Sequence, residues 1–500
     1  MTLKQTWFDR ALGVIAPTTA LRRTRARLAT ELLQRHYEAA SVGRRTQGWR
    51  RTAGDANAVN AKDLATLREH ARDLARNNGQ MAQALRTIAN HTVGWGIVAK
   101  AVPANEHVAN PWRVWAETTE CDADGRTNLA GLQKLVMRTV AESGECLVRR
   151  RWRRIEDGYA IPMQLQVLEP DHLDTNKNGA LPGGGQIING VEFDALGERV
   201  AYWLFPTHPG ASNGRLLFEP AKRYPAADIL HVFERTRPGQ VRAVSWFAPI
   251  ILPAKDLDEY GDAQLMKQKI AACLSVITTD VDGSGAPLGE ADDTSNPGTD
   301  MLEPGAIIQA KPGQSIEVVQ PPAVNDYAAF TTVENRKLAK GLGLTYEDYT
   351  GDYSGVNFSS ARMARLSHYE NVHDWRWLML VPQFCDPVWA WAMEAMQVMG
   401  LPAAGVRAEW TAPGMPMIEP DKEGLAIMRN ARAGIQTIPE AIRERGYDPD
   451  AVLAEYKDWN TKIDAAGVVL DSDPRKVTQA GQLQGSSASV GGANGGQSNG

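Results

Sequence analysis

Residues 324–360 read VNDYAAFTTVENRKLAKGLGLTYEDYTGDYSGVNFSS, and this stretch decides the fold. After Pro321-Pro322, helical spacing predicts a helix from Val324 to about Gly341. Val324, Tyr327, Leu338 and Leu342 share an arc, but Thr331 and Asn335 lie in it too, so the helix packs against similar neighbours or borders water. A polar loop follows over Tyr349–Ser360, then a long helix from about Ser360 to Val381 with Met363, Leu366, Trp377 and Leu380 on one side. Pro382 ends or kinks it. On the other side of the quoted stretch, Pro249 and Pro253 precede a helix over Ala254–Leu274. A Gly-, Pro- and Asp-rich region, Asp280–Asp300, and short strands at Ala306–Ala310 and Ile316–Val319 separate the two helices. The local plan is helix, small β insertion, helix.

Working outward, Asn60–Thr92 is helical through Leu64, Leu67, Leu74, Leu85 and Ile88, with a break at Asn77-Asn78-Gly79. Val93–Val98, carrying Gly94 and Gly96, turns towards a strand. Helices are expected at Pro111–Thr119, with Trp112 and Trp115 on one side, and at Leu129–Ser143. Strands are expected at Glu145–Arg153, Met163–Leu168, Gly190–Glu192, Ala201–Phe205 and Ile229–Phe233. This is a sheet with flanking helices. Asp421–Ala466 reads as a helical hairpin or bundle punctuated by Gly434, Pro439, Gly446 and Pro449. Thr478–Gly500 holds seven glycines and no charge, too little apolar surface to offset ordering, so a disordered tail is expected.

Five hundred residues with 23% charged and 43% hydrophobic side chains and a net charge of −5 describe a globular chain of about three domains. The four cysteines, Cys121, Cys146, Cys273 and Cys385, form neither a disulfide framework nor a CxxC motif, which suits a reducing setting. Met1–Ala20 lacks the pattern of a secretory signal. Trp377–Met399, interrupted by Pro382, Asp386, Pro387 and Glu394, reads as a buried helix pair and not a membrane span. The near-neutral total argues against wholesale coating of nucleic acid. Charge is nevertheless polarised, with Arg22, Arg23, Arg25, Arg27, Arg44, Arg45, Arg50 and Arg51 in the first segment. That arm is either a solvated helix face with a linker or a contact for nucleic acid or an acidic partner.

No enzyme signature survives inspection. There is no Gly-Lys dipeptide and hence no P-loop, and Gly341-x-Gly343 lacks the third glycine of a dinucleotide fingerprint. Asp174-x-Asn176-x-Asn178-Gly179 imitates half a calcium loop, but its twelfth position is Gly185, so a surface Asx-turn is the better account. His368 and His373 are five apart and do not share a helix face, and each is expected to be packed or interfacial. The serine of Gly351-Asp352-Tyr353-Ser354-Gly355 is displaced from the nucleophile-elbow position. Glu142 and Glu145 alone carry no message. No cofactor and no metal is expected.

Several stretches together resemble the portal proteins of tailed bacteriophages, in the lambda-type branch. They include Arg72-Asp73-Leu74-Ala75-Arg76-Asn77-Asn78, Val93-Gly94-Trp95-Gly96-Ile97, Cys121-Asp122 through Gly125, and Gly144-Glu145. Leu168-Glu169-Pro170-Asp171, His208-Pro209-Gly210, Ile229-Leu230-His231-Val232-Phe233 and Arg237-Pro238-Gly239-Gln240 continue the series. The densest match is Gly341 through Glu347 with Gly351 through Arg362, and the resemblance runs from about Gly43 to Tyr456. Ala243-Val244-Ser245 departs from the family, which often has a glycine before the serine.

The resemblance implies an α+β multidomain portal fold assembled as a ring-shaped homo-oligomer, usually of twelve subunits. In these terms 1–58 is a basic arm, 59–253 an α/β wing, 254–274 the first stem helix, 275–323 a small α/β clip and 324–347 the second stem helix. The tunnel loop is 348–360, a long kinked helix and wing return 361–420, a helical crown 421–470 and a disordered tail 471–500. Implied partners are other copies of the chain, the terminase large subunit, the head-tail connector, the major capsid and scaffold proteins, and double-stranded DNA passing through the bore. An external ATPase would drive the DNA, and no membrane is involved.

A conduit needs a shallow landscape, because inward lysines repeated around a ring would hold phosphates in deep, salt-sensitive wells. Candidate channel residues are Asp256 and Glu259 on the first stem helix, and Lys337 and Lys340 on the second. Glu347, Asp348, Asp352, Tyr353, Ser354 and Asn357 are the candidates in and beside the tunnel loop. The competing account pairs these charges between adjacent helices. Trp375, Trp377, Trp389 and Trp391 serve either subunit contacts or core packing. The rival functions are another head-tail adaptor or minor capsid protein and, further off, a hydrolase using Ser354.

Overall fold

Strand β2 (Glu145–Trp152) lies at the centre of a three-stranded antiparallel sheet, between β3 (Met163–Leu168) and β9 (Ile229–Phe233). Alternate side chains of a strand point to opposite faces. Cys146 and Val148 therefore enter one core, and Leu147 enters another. This computed structural model describes residues 54–211, 219–272, 276–280, 314–318, 326–470, 473 and 475–476. The chain divides into units 1–55 and 56–500, and residues 1–53 of the basic arm, 281–300 of the Gly-, Pro- and Asp-rich region, the Ala306–Ala310 strand and the glycine-rich tail lie outside the described residues.

The larger core is built on helices. After a short α1 (Ala56–Asn60), α2 (Leu64–Asn77) and α3 (Gly79–Val93) form a pair joined by Asn78, which ends the first and whose side chain accepts from Met81 N to start the second. The chain then makes β1 (Val98–Val102) and α4 (Glu106–Glu117), and α5 (Leu129–Ser143) leads into β2. Met81, Leu85 and Ile88 from α3 meet Leu132, Val136 and Val140 from α5 beneath the sheet. Pro111 does not start α4. Capped by Asn105, that helix begins at Glu106, five residues before the expected start, and Pro111 sits inside it. Gly144 ends α5 at φ +89°, and a Cβ there would lie 2.3 Å from the carbonyl carbon of Val244.

The smaller core joins the other face of β2 to a five-stranded meander. Its strands are β4 (Gly179–Ala180), β5 (Gln186–Ile188), β6 (Val191–Phe193), β7 (Arg199–Leu204) and β8 (Lys222–Pro225). Asp174 Oδ1 accepts from Asn176 N at 3.1 Å, the Asx-turn expected from the imitation calcium loop.

Helix α6 (Ile251–Ala272) carries the chain away from the core, and the antiparallel ribbon β10 (Val276–Asp280) and β11 (Gln314–Val318) precedes α7 (Tyr327–Gly341), which returns to it. Next come α8 (Tyr346–Thr350) and α9 (Phe358–Asp374). A π-helix over Trp375–Cys385 then runs directly into α10 (Asp386–Val398). Of the two outcomes expected at Pro382, an end or a kink, the helix does not end there, and the helix pair expected over Trp377–Met399 is one continuous helical run. In an α-turn the proline ring would clash with the carbonyl four residues back; the wider i→i+5 turns accommodate a residue that donates no hydrogen bond. Trp375, Trp389 and Trp391 are core residues, whereas Trp377 is 41% exposed. Strand β12 (Arg407–Thr411) pairs with β1 across some three hundred residues, as Val98↔Thr411 shows. Helices α11 (Pro420–Arg432), α12 (Ile438–Glu444) and α13 (Pro449–Ala466) follow, tied back by Lys100 to Asp448 and Asp450. Among the described residues no helix is long and apolar enough to cross a membrane.

Candidate channel segment

The root of α6 is anchored and its length is not. Ile250, Ile251 and Ala254 belong to the core, while Asp256 and Glu259 are exposed. Lys255 pairs with Glu259 at 3.4 Å, one turn apart. Asp258, exposed as well, is tied back to the protomer: both of its carboxylate oxygens accept from Asn78 Nδ2, at 2.9 and 2.8 Å. The two long helices touch through rings, with Tyr260 5.7 Å from Tyr327 and 5.1 Å from Phe330. On α7, Lys337 is exposed and pairs with Glu334 at 2.7 Å, and Lys340 is exposed. Part of the expected lysine and acid set is thus spent within its own helix.

Where α7 ends, the chain is packed tightly. A Cβ on Gly341 would meet Ile250 Cγ2 at 2.4 Å. Leu342 and Leu344 are buried, and Thr345 caps α8 by accepting from Asp348 N at 3.0 Å. The polar loop expected from Tyr349 begins later, because the Thr345 cap nucleates a helical turn that buries the Tyr349 ring. Burial without a partner for its hydroxyl raises the pKa of Tyr349.

The loop proper is 351–357. Asp352, Tyr353, Ser354 and Asn357 are exposed there, and Tyr353 is 65% exposed. Asp352 accepts from Ser354 Oγ at 2.7 Å, from Ser354 N at 3.0 Å and from Tyr346 Oη at 3.3 Å. The Ser354 hydrogen bonds lower the pKa of this carboxyl and keep the loop tip anionic. They also bind the serine hydroxyl to a carboxylate with no imidazole between, which is not the arrangement of an activated nucleophile. Asn357 spends its side-chain oxygen on Ser360 N, capping α9. The candidates therefore separate: Asp352, Tyr353, Ser354 and Asn357 share the exposed loop, whereas Glu347 and Asp348 sit half-buried on α8.

Sequence reasoning missed two constellations. Asp348 lies with His91 and His368, each offering a ligand atom within 4.8 Å of the others. The second is a buried charge network around Glu145. Its carboxylate accepts from Arg242 Nε at 2.7 Å, His231 Nε2 at 2.9 Å and Ala243 N at 3.2 Å. Burial alone would raise the pKa of Glu145, but the Arg242 guanidinium and the His231 hydrogen bond hold it well below the ordinary range. His231 is held neutral by its burial. No spacing advertises either group; the only trace was an acid placed directly after Gly144 at the head of an apolar strand.

Comparison with known proteins identifies the chain. The sequence profile of the family described as phage portal protein, lambda family, matches residues 42–376. A probable portal protein of Halomonas phage phiHAP-1 is 28% identical over 470 residues, covering 87% of this chain and 88% of its own length. The portal protein of Escherichia phage N15 is 23% identical, over 87% of this chain and 91% of its own. Portal protein B of Escherichia phage lambda is 21% identical, over 87% and 90%. Among solved structures, a chain in the neck of a native gene transfer agent particle, computed with C12 symmetry, aligns at 14% identity and a TM-score of 0.48, over 78% of this chain and 94% of that one. The chain belongs to the lambda family of phage portal proteins, structural components of the virion at the portal vertex of the capsid.

Proposed function

We propose that copies of this chain close into a ring around an aqueous bore, with α6 and α7 as its stem and loop 351–357 turned towards passing double-stranded DNA. The observation that carries this reading is the state of the two long helices. In the single chain Leu252 is 70% exposed, Leu265 54%, Met266 58% and Val333 49%, a degree of apolar exposure that a monomer's surface does not ordinarily concentrate on one pair of helices. Heterologous contacts between different faces of neighbouring copies cover such surfaces and close a ring. The anionic, hydrogen-bonded loop tip suits a wall that repels the phosphate backbone, and the lysine paired within α7 supplies only weak positioning. The β10–β11 ribbon, at the far end of the stem, is the natural docking point for the packaging terminase and then the head-tail connector. Capsid and scaffold proteins would meet the outer surface.

The test is Asp352→Lys in a packaging system. The expected result is rings indistinguishable from the parent by electron imaging, with DNA passage slowed severalfold and the defect relieved by added salt. Packaging at the parental rate would remove the loop from the DNA path, and a stably monomeric parent would remove the ring.

A further inference from the structure

We infer that His91, Asp348 and His368 form a site for one divalent transition metal of the zinc class, joining α3, α8 and α9 at the root of loop 351–357. The tautomer of His368 is fixed by geometry. Its Nδ1 is 2.9 Å from the carbonyl oxygen of Gly343, which only accepts, so Nδ1 carries the hydrogen and Nε2 presents its lone pair. A backbone carbonyl on the far nitrogen is the arrangement that orients metal-bound histidines. That same carbonyl also accepts from Asn371 Nδ2 at 2.9 Å, which holds the backbone in place. His368 is 2% exposed, so its ring direction is set by packing.

His368 Nε2 accepts from His91 Nδ1–H at 2.8 Å, and an ion bound between the two nitrogens takes the place of that shared proton. Two imidazoles and a carboxylate within mutual reach are a donor set for zinc-class ions, with a position left for water. The Asp348 carboxylate makes no hydrogen bond or ion pair among the described residues, its backbone N–H alone being held by Thr345. Besides Asp348, the charged groups facing His91 are Arg365 and Arg376. Arg376 is itself engaged by the carbonyls of Thr92, His91 and Pro413. With His91 binding through Nδ1, its proton resides on Nε2, and the nitrogens separate by about half an ångström to reach zinc–nitrogen bonds of about 2.0–2.1 Å.

A second cluster, Glu169, Asp171 and His208, marks the contrast. There Arg72 bridges both carboxylates at 2.9 and 2.6 Å and Arg68 reaches Asp171 at 3.0 Å, so positive charge is already in place. Asp348 has no such partner.

The test uses the full-length chain, stripped with a chelator and titrated with zinc, then with cobalt as an optical probe. One equivalent per chain is expected, with the visible bands of low-coordinate cobalt and a zinc-dependent rise in melting temperature. His91→Gln and Asp348→Asn should each weaken binding at least about tenfold, and His208→Gln should leave it unchanged. Absence of stoichiometric binding overturns the site, and so does binding that survives both the His91 and the Asp348 substitution. Neither readout depends on DNA passage, so this inference and the channel reading fail separately.

Discussion

Replacing Glu145 by glutamine keeps the shape of the side chain and removes the charge at the centre of a fully buried network. In the parent one oxygen faces Arg242 and the other faces the His231 ring N–H and the Ala243 N–H. Whichever way the glutamine amide turns, its NH2 meets a donor, and Arg242, only 1% exposed, loses its anionic partner. Breaking a buried charge pair in this way costs about 3–5 kcal/mol. Arg242 retains hydrogen bonds to Thr175 Oγ1 at 3.2 Å and to the Asn189 carbonyl at 3.1 Å, which places the expected loss near 3 kcal/mol, the lower end of that range.

The pH dependence follows from the depressed pKa. Glu145 contributes its full stabilisation above its ordinary value of 4.5, and the contribution is lost as pH falls from there towards the folded value. The stability difference between parent and Glu145→Gln should therefore shrink by about 1.4 kcal/mol per pH unit in that window. Urea unfolding followed by tryptophan fluorescence, at matched protomer concentration so that association is held constant, measures both quantities. A neutral-pH difference below about 1 kcal/mol, against the expected loss of about 3, or a difference indifferent to acid, would refute the reasoning.

Two further substitutions probe the packing that positions the stem and loop. Gly341→Ala gains helix propensity but drives a Cβ into Ile250, and a net loss of about 1–3 kcal/mol is expected. Ile250→Ala should make the double variant better than the sum of the singles, and simple additivity in the cycle would show that the contact does not matter. Asn78→Asp keeps the cap on Met81 but sets a carboxylate against Asp258, at a cost of about 1–2 kcal/mol at neutral pH. The like charge raises the folded pKa of the pair, so this penalty should fade as pH drops, and Asp258→Asn should relieve it; a penalty independent of pH would assign it to the cap instead.

Much of the β framework could be read directly. Met163–Leu168 stops at Glu169-Pro170-Asp171 and Ile229–Phe233 follows Pro225 and Asp228, and the structure places the strands on those residues. Helix α5 likewise matched, because Asn128 and Gly144 cap it in the usual chemistry. What could not be read depended on partners far along the chain. Strand β12 is legible only beside β1, and Asp348 acquires its neighbours His91 and His368 from helices more than two hundred residues apart. The stripe expected at Met363, Leu366, Trp377 and Leu380 failed for a different reason. Met363 is 68% exposed and Leu366 47%, while Leu380 is fully buried. A constant step of 100° per residue does not hold through Trp375–Cys385, where the wider turns advance less per residue and put the two ends of the rod out of phase.

The three cysteines among the described residues are free and buried, each with its thiol pKa raised by burial, Cys121 to about 12. Oxidants and thiol–disulfide exchange act on the thiolate, which these sites scarcely populate. A particle built inside a reducing cell and then released into aerated water crosses a large redox step. For this core the crossing is chemically silent: no bond has to form for stability outside, and none is left that a host's reductants could cut on entry.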